Sequence, residues 1–293
     1  MRISFRRIGR AVGSWWSDLT VTARVGVVLL ALPLAVAAFG PFFAPYPPDQ
    51  ISGSAYGAPS LHHPLGLDFV GRDVLSRFLW GGRTSILIAL VGTSVGYAIG
   101  ILVGVVCAYR SGWVDELAGR VTDLVLAFPA LILALLLLAA FGTSIELVVV
   151  AIIVTTAPGA MRISRAASLE IVDLPYVEAA KARGEAISYI GRREILPNIR
   201  RPLLADFGLR LTAAILLVAA LSFLGLGLKP PAADWGLMIG ENRVALTIQP
   251  WPVVVPVLAI AFITIGINLT LDGYRRRTGI WRSGDSAGEV RVV

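Results

Sequence analysis

The chain has 293 residues, of which 56% are hydrophobic and only 15% charged. Soluble domains carry about 25% charged residues, so this composition excludes most soluble readings and places the chain in a lipid bilayer. Its net charge of +7 needs no nucleic-acid partner, because the basic residues sort by membrane side.

In residues 1–24, Phe5, Ile8, Val12, Trp15, Trp16 and Leu19 recur at helical spacing, with Arg2, Arg6, Arg7 and Arg10 mostly opposite. This pattern predicts an amphipathic helix lying flat in the interface. Ala35-Val36-Ala37 has the small-residue form of a signal-cleavage site, but the apolar stretch continues past it, which favours an uncleaved anchor. Apolar stretches at about 25–44, 85–108, 124–141, 145–161, 208–228 and 252–271 each approach the roughly 20 residues that a membrane-crossing helix needs. The expected fold is all-α, a polytopic membrane protein with six transmembrane helices. With the N-terminus in the cytosol, 21 of the 26 Lys and Arg residues fall inside and 5 outside, which predicts cytosolic termini.

The outer segment, 45–84, opens with Pro45, Pro47 and Pro48 and reaches His62-His63-Pro64-Leu65-Gly66. Two neighbouring histidines without a Cys/His/Glu cluster do not make a metal site. Val74, Leu75, Phe78 and Leu79 share one helical face, expected to rest on the outer interface. Beyond it a five-helix core runs over 85–275. Gly92, Gly96, Gly100 and Gly104 form a stripe that predicts close helix packing. Asp115, Glu116, Arg120 and Asp123 follow, with Glu116 and Arg120 spaced to pair along a helix, and read as structural ion pairs at the inner interface. Pro129 and Pro158 are expected to kink spans three and four.

The one long polar interruption is the segment 162–203, which is expected to fold in the cytosol as two short helices. Asp173 and Pro175 mark a helix start, Ala179, Ala180 and Ala182 favour its continuation, and Gly184 ends it. A second helix is expected to begin near Ser188 and to end before Pro197. Two helices hinged at a glycine make a docking knob; an arginine-rich loop lying on lipid headgroups is the alternative. A loose tail is expected over 276–293.

Glu178-Ala179-Ala180, three residues, Gly184, and a stretch ending in Ile195-Leu196-Pro197 resemble the EAA loop of the membrane subunits of bacterial ABC importers. The departure is Glu194 where the consensus has isoleucine, with Ile195 one place later. The stretch HPLGLDFVGRDVLSR from His63 to Arg77, and ALSFLGLGLKPPAADWG from Ala220 to Gly236, are similar to signatures of the peptide- and nickel-type subgroup. Asp115, Arg120 and Asp123 also fit the family's spacing. The resemblance implies half of a pore, with a second homologous permease subunit, two ATPase subunits and an extracytoplasmic solute-binding protein in the bilayer. Glu178, Ala179, Ala180, Gly184, Ser188, Leu196 and Pro197 then belong to the ATPase-docking loop. The implied cargo is short peptides, with nickel or other small solutes as the runner-up and a non-transporting scaffold or assembly protein as the alternative of another class.

Neither Lys181 nor Lys229 follows a glycine, so no phosphate-binding loop of the GxxxxGK type is present; ATP and Mg are expected on partner subunits and no cofactor on this chain. The span interiors are expected to lack Asp, Glu, Lys and Arg, which argues against a proton- or sodium-coupled carrier. No catalytic triad or paired-carboxylate constellation can be assembled, so the chain is expected not to be an enzyme.

Overall fold

A computed structural model describes residues 19–278, with side chains as far as residue 273. Most of the expected interfacial helix and of the tail lies outside the described residues. Among the described residues the regular secondary structure is helical, apart from two isolated antiparallel bridges, Ile51 to Arg72 and Leu67 to Asp73.

Helix α1 spans Val21–Phe43, capped by Thr20, whose Oγ1 accepts the Ala23 N–H at 3.2 Å. Helix α2, Val74–Arg110, has 37 residues, or about 55 Å at 1.5 Å per residue, well beyond a hydrocarbon core of about 30 Å. Part of its length therefore stands clear of the hydrocarbon core. The separate helix expected on the outer interface is the start of α2. Its apolar face packs inside the protein, with Val74 fully buried and Phe78 stacked on Trp235 at 5.6 Å between ring centres.

Helices α3, Trp113–Leu126, and α4, Ala130–Phe141, meet at 90°. The single kinked span expected over 124–141 is instead broken. Pro129 lacks an N–H and disfavours helical geometry at Phe128 before it, so the chain leaves one helix and starts another. At 12 residues α4 rises only about 18 Å, too little to cross alone. Among the described residues five helices are long and apolar enough to cross, or six when the bent α3–α4 pair is counted as one broken span.

Helix α5, Ile145–Leu169, keeps Pro158 within it and runs on past the expected end at 161. After the short α6, Pro175–Ala182, and α7, Ile187–Ile190, a π turn at Gly191–Ile195 leads into α8, Leu196–Phe223. Helix α9, Trp235–Asn242, and a 3₁₀ turn, Arg243–Ala245, precede α10, Trp251–Thr278.

Two apolar cores hold these helices together. The larger, including Ile88, Leu138, Ile152, Leu221, Met238 and Ile263, lies between α2, α4, α5, α8, α9 and α10. The smaller lies under α6 and α7, at the end where α2 and α5 finish and α8 begins. Helix α1 packs on α10, where a Cβ at Gly266 would stand 2.7 Å from the Leu30 backbone nitrogen. Larger residues there would separate the two helices.

Candidate functional site

The segment 170–195 folds as a compact knob on the end of the bundle. Helix α6 starts with Pro175 in its first turn, where a missing N–H costs nothing. Its N-cap is Leu174, without a side-chain cap bond, so Asp173 does not serve as the cap expected of it. The end of α6 is closed by Gly184 at φ +75°. The Gly184 N–H donates to the Lys181 carbonyl at 2.9 Å and the Glu185 N–H to the Ala180 carbonyl at 3.2 Å. These bonds are the paired closure of a Schellman C-cap, which needs a left-handed residue where glycine sits.

The knob has two faces. Val177, Ala180 and Ile190 are fully buried against the smaller core, which also holds Tyr97, Val105 and Ala160. Lys181 reinforces this seat, its Nζ donating to the Val172 carbonyl at 3.0 Å and lying over the Tyr109 ring. Glu178, Ala179, Gly184, Ser188 and Pro197 are exposed, beside Tyr176 and Tyr189. Of the loop residues singled out in the sequence, Ala180 thus points into the bundle and Leu196 is half-buried.

The second helix of the knob does not end before Pro197; it runs through the π turn into α8. The Leu196 N–H donates to the Gly191 carbonyl five residues back, and the wider turn accommodates the proline that follows. The Asn198 side chain donates to the Glu194 carbonyl at 2.6 Å. In this register Ile195, Ile199 and Leu203 all turn inward and are buried, while Glu194 stays half-exposed. The isoleucine displaced by one place relative to the consensus therefore fills a core position.

The glycine stripe lies along α5. A Cβ at Gly92 would come within 2.8 Å of the Ile152 side chain, and one at Gly96 within 3.0 Å of the Ile153 backbone. At Gly100 it would meet the Ala157 carbonyl at 2.5 Å, and at Gly104 the Ser164 hydroxyl. Helix α3 is tied to the same helix: Asp115 pairs with Arg165, including a bond of 2.5 Å from Nη2 to Oδ2, and Asp123 with Arg162 at 2.6 Å. Arg120 pairs with Glu116 along α3 at 2.5 Å. The cross-helix partners, both arginines in the continuation of α5, were not apparent from the spacing within α3.

At the opposite end, the segment 45–73 and the segment 224–250 fold onto each other. Asp68, fully buried, accepts from Arg72 Nε at 2.8 Å, Arg77 Nη1 at 2.5 Å, and the backbone N–H groups of Val70 and Arg72 at 2.9 Å. Glu241 closes the group, accepting from Arg72 at 3.1 Å and Arg77 at 2.8 Å. Burial opposes the charge on Asp68, but the Arg72 backbone N–H and the two guanidiniums outweigh it and hold its carboxyl below the usual range. Asp73 caps α2, accepting the Ser76 N–H at 2.8 Å, and takes His63 Nδ1 at 2.9 Å. Asp234 caps α9 and also takes the Ser85 hydroxyl. Trp235 lies over Gly81 and Gly82 and donates to the Phe78 carbonyl at 2.9 Å. The two subgroup signatures in the sequence are thus two halves of one packed block.

The span interiors are not free of charge. Helix α8 carries Asp206 and Arg210, paired through Nε and Oδ2 at 2.6 Å. Their four-residue spacing is the signal from which the pair could have been read.

Residues 96–278 match the family described as the inner membrane component of binding-protein-dependent transport systems. The chain is 35% identical over 259 residues to a glutathione transport system permease protein, GsiD, of Escherichia coli (strain UTI89 / UPEC), covering 88% of this chain and 84% of that one. To the Pectobacterium atrosepticum protein of the same name it is 34% identical over 257 residues, covering 87% and 85%. Its fold is similar to that of an amino acid ABC transporter with a TM-score of 0.52 at 18% identity, over 69% of this chain and 94% of that one. It is also similar to the MetNI methionine ABC transporter with a TM-score of 0.50 at 21% identity, over 67% and 93%. With its helical spans, the loop signature and these relatives in agreement, the chain belongs to the family of binding-protein-dependent transport system inner membrane components, as a non-catalytic, multi-pass permease subunit of a bacterial ABC importer whose ATPase is a separate subunit.

Proposed function

We propose that this permease carries short peptides or peptide-like solutes, as one half of a pore completed by a second homologous permease, and that the knob around Glu178 and Gly184 docks on the ATPase. The cargo reading rests on the relatives of glutathione transport systems, which this chain matches over most of its length. The docking reading rests on the two-faced knob. Its inner face is fixed to the ends of α2 and α5, and its outer face is left to a partner. A push on the knob is then passed to the helices that line the core. Glu178 takes no partner among the described residues and is free to pair with a basic group on the ATPase, which sets register more than affinity.

The experiment is reconstitution of the full complex in liposomes with Gly184→Val and Glu178→Ala variants. A β-branched residue at φ +75° strains the cap by about 1–3 kcal/mol and misaims α7. Gly184→Val is expected to insert normally yet abolish both uptake and the stimulation of ATP hydrolysis by the loaded binding protein, with Glu178→Ala a weaker version. Unchanged uptake and stimulation in Gly184→Val would exclude the knob as the coupling element.

A further inference from the structure

Arg210 lies 14 residues into the 28-residue α8, about 21 Å from Leu196, against Gly159, which is within one turn of Arg162 on α5 but inside its apolar stretch. A charged side chain at that depth is costly to insert and marks a functional site when the surroundings are built to hold it. Here they are. Asp206, one turn back, accepts from Nε at 2.6 Å and from Nη2 at 3.2 Å. Gly159 leaves room for the guanidinium to lie across α5, since a Cβ there would stand 2.6 Å from Cζ and would overlap Nη1.

The arginine lines a cavity of about 80 Å³ with Thr155, Thr156, Ala130, Ala213 and Leu217, and Asp206 is not part of that lining. The pair therefore presents its cationic member to the cavity. Thr155 spends its hydroxyl proton on the carbonyls of Ala151 and Ile152, at 2.9 and 3.1 Å, so the donors left in the lining are the Thr156 hydroxyl and the arginine, of which the arginine is the charged one. Ala130 opens α4, which begins after the 90° break without a capping side chain, so the local helix field has the same sign as the arginine. A space of this size holds a carboxylate group and a water molecule, not a whole solute.

We propose that Arg210 forms a subsite, inside the knob-side half of the helix bundle, for a carboxylate group of the transported solute. A guanidinium matches the planar, two-oxygen geometry of a carboxylate, and every short peptide carries one at its C-terminus. The inference rests on the peptide-cargo reading for the identity of the ligand, but the positive site itself does not.

The test uses the full complex in proteoliposomes, with Ala213→Cys as a reporter in a Cys107→Ser background. Reaction rates are measured with an anionic (sulfonatoethyl) and a cationic (trimethylammonioethyl) methanethiosulfonate, with and without Ala-Ala dipeptide or its C-terminal amide. A positive site concentrates the anionic reagent, so Arg210→Gln is expected to lower the anionic-to-cationic rate ratio by about tenfold or more, and Arg210→Lys to retain it. The dipeptide is expected to slow labelling and its amide not to, and the difference to vanish in Arg210→Gln. If Arg210→Gln does not assemble, the neutral Asp206→Asn/Arg210→Gln double variant replaces it. An unchanged ratio, a cysteine closed to both reagents with and without ATP, or equal protection by dipeptide and amide would overturn the subsite. Loss of the ratio in a complex that takes up no peptide would instead overturn the cargo reading and keep the anion site.

Discussion

Asp68 shows how one side chain can organise a whole surface. It holds two arginines, one of them, Arg77, without solvent exposure, and four N–H groups point at its carboxylate. Asp68→Asn removes the charge and leaves Arg77 buried with only Glu241 opposite it. Breaking a buried pair from one side costs about 3–5 kcal/mol, so this variant is expected to lower the unfolding temperature of the purified complex and to loosen the block formed by 45–73 and 224–250. The pH dependence follows from the same contacts. A carboxyl held below its ordinary value, near 3.9 in an unfolded chain, stabilises the fold fully above that value and loses the contribution as pH falls through the folded one. Thermal stability of the complex is therefore expected to hold from neutral pH down to about 4 and to drop below it, and Asp68→Asn is expected to flatten that acid limb.

Among the elements, the α2–α5 contact is the one most legible in the sequence. Four glycines at four-residue steps can share one helix face only if another backbone comes close, and the facing helix meets all four. Gly100→Leu is expected to cost about 1–3 kcal/mol by overpacking and to reduce the yield of assembled complex, because its Cβ would stand 2.5 Å from the Ala157 carbonyl. Gly119→Ala is the control: nothing lies within 4 Å of a Cβ there, so yield and melting temperature are expected to be unchanged or slightly raised. Equal yields for both variants would show that the stripe does not hold α2 to α5. Less was legible where hydropathy is continuous but geometry is not. The apolar run over 124–141 gave no sign that Pro129 would turn the chain by 90° rather than kink it. Nor could Pro197 be seen as continuing a helix, since a π turn leaves no mark in residue periodicity. The Arg72–Arg77–Glu241 group joins positions more than 160 residues apart and depends on tertiary folding alone.

The molecule as a whole has two ends of different electrical character. The knob end gathers Arg110, Arg120, Arg162, Arg165, Lys181, Arg183, Arg192, Arg193, Arg200 and Arg201 around the ends of α2, α3, α5 and α8. The opposite end carries Arg72, Arg77, Arg83, Lys229 and Arg243, and the first two are neutralised by Asp68 and Glu241. Arg120, Arg162 and Arg165 at the knob end are likewise paired, with Glu116, Asp123 and Asp115, so pairing discounts both ends and the bias is that of the residue counts; positive charge favours the cytosolic side. That orientation, with the knob toward the cytosol and the packed block outside, is what the proposed docking requires, and it can be tested directly. In a Cys107→Ser background, single cysteines at Ser60 and Thr247, both exposed on the packed block, are expected to react with a membrane-impermeant maleimide in intact cells. A cysteine at Ser188, exposed on the knob, is expected to react only after permeabilisation. Labelling of Ser188→Cys in intact cells, with Ser60→Cys and Thr247→Cys silent, would invert the orientation and remove the knob from the ATPase side altogether.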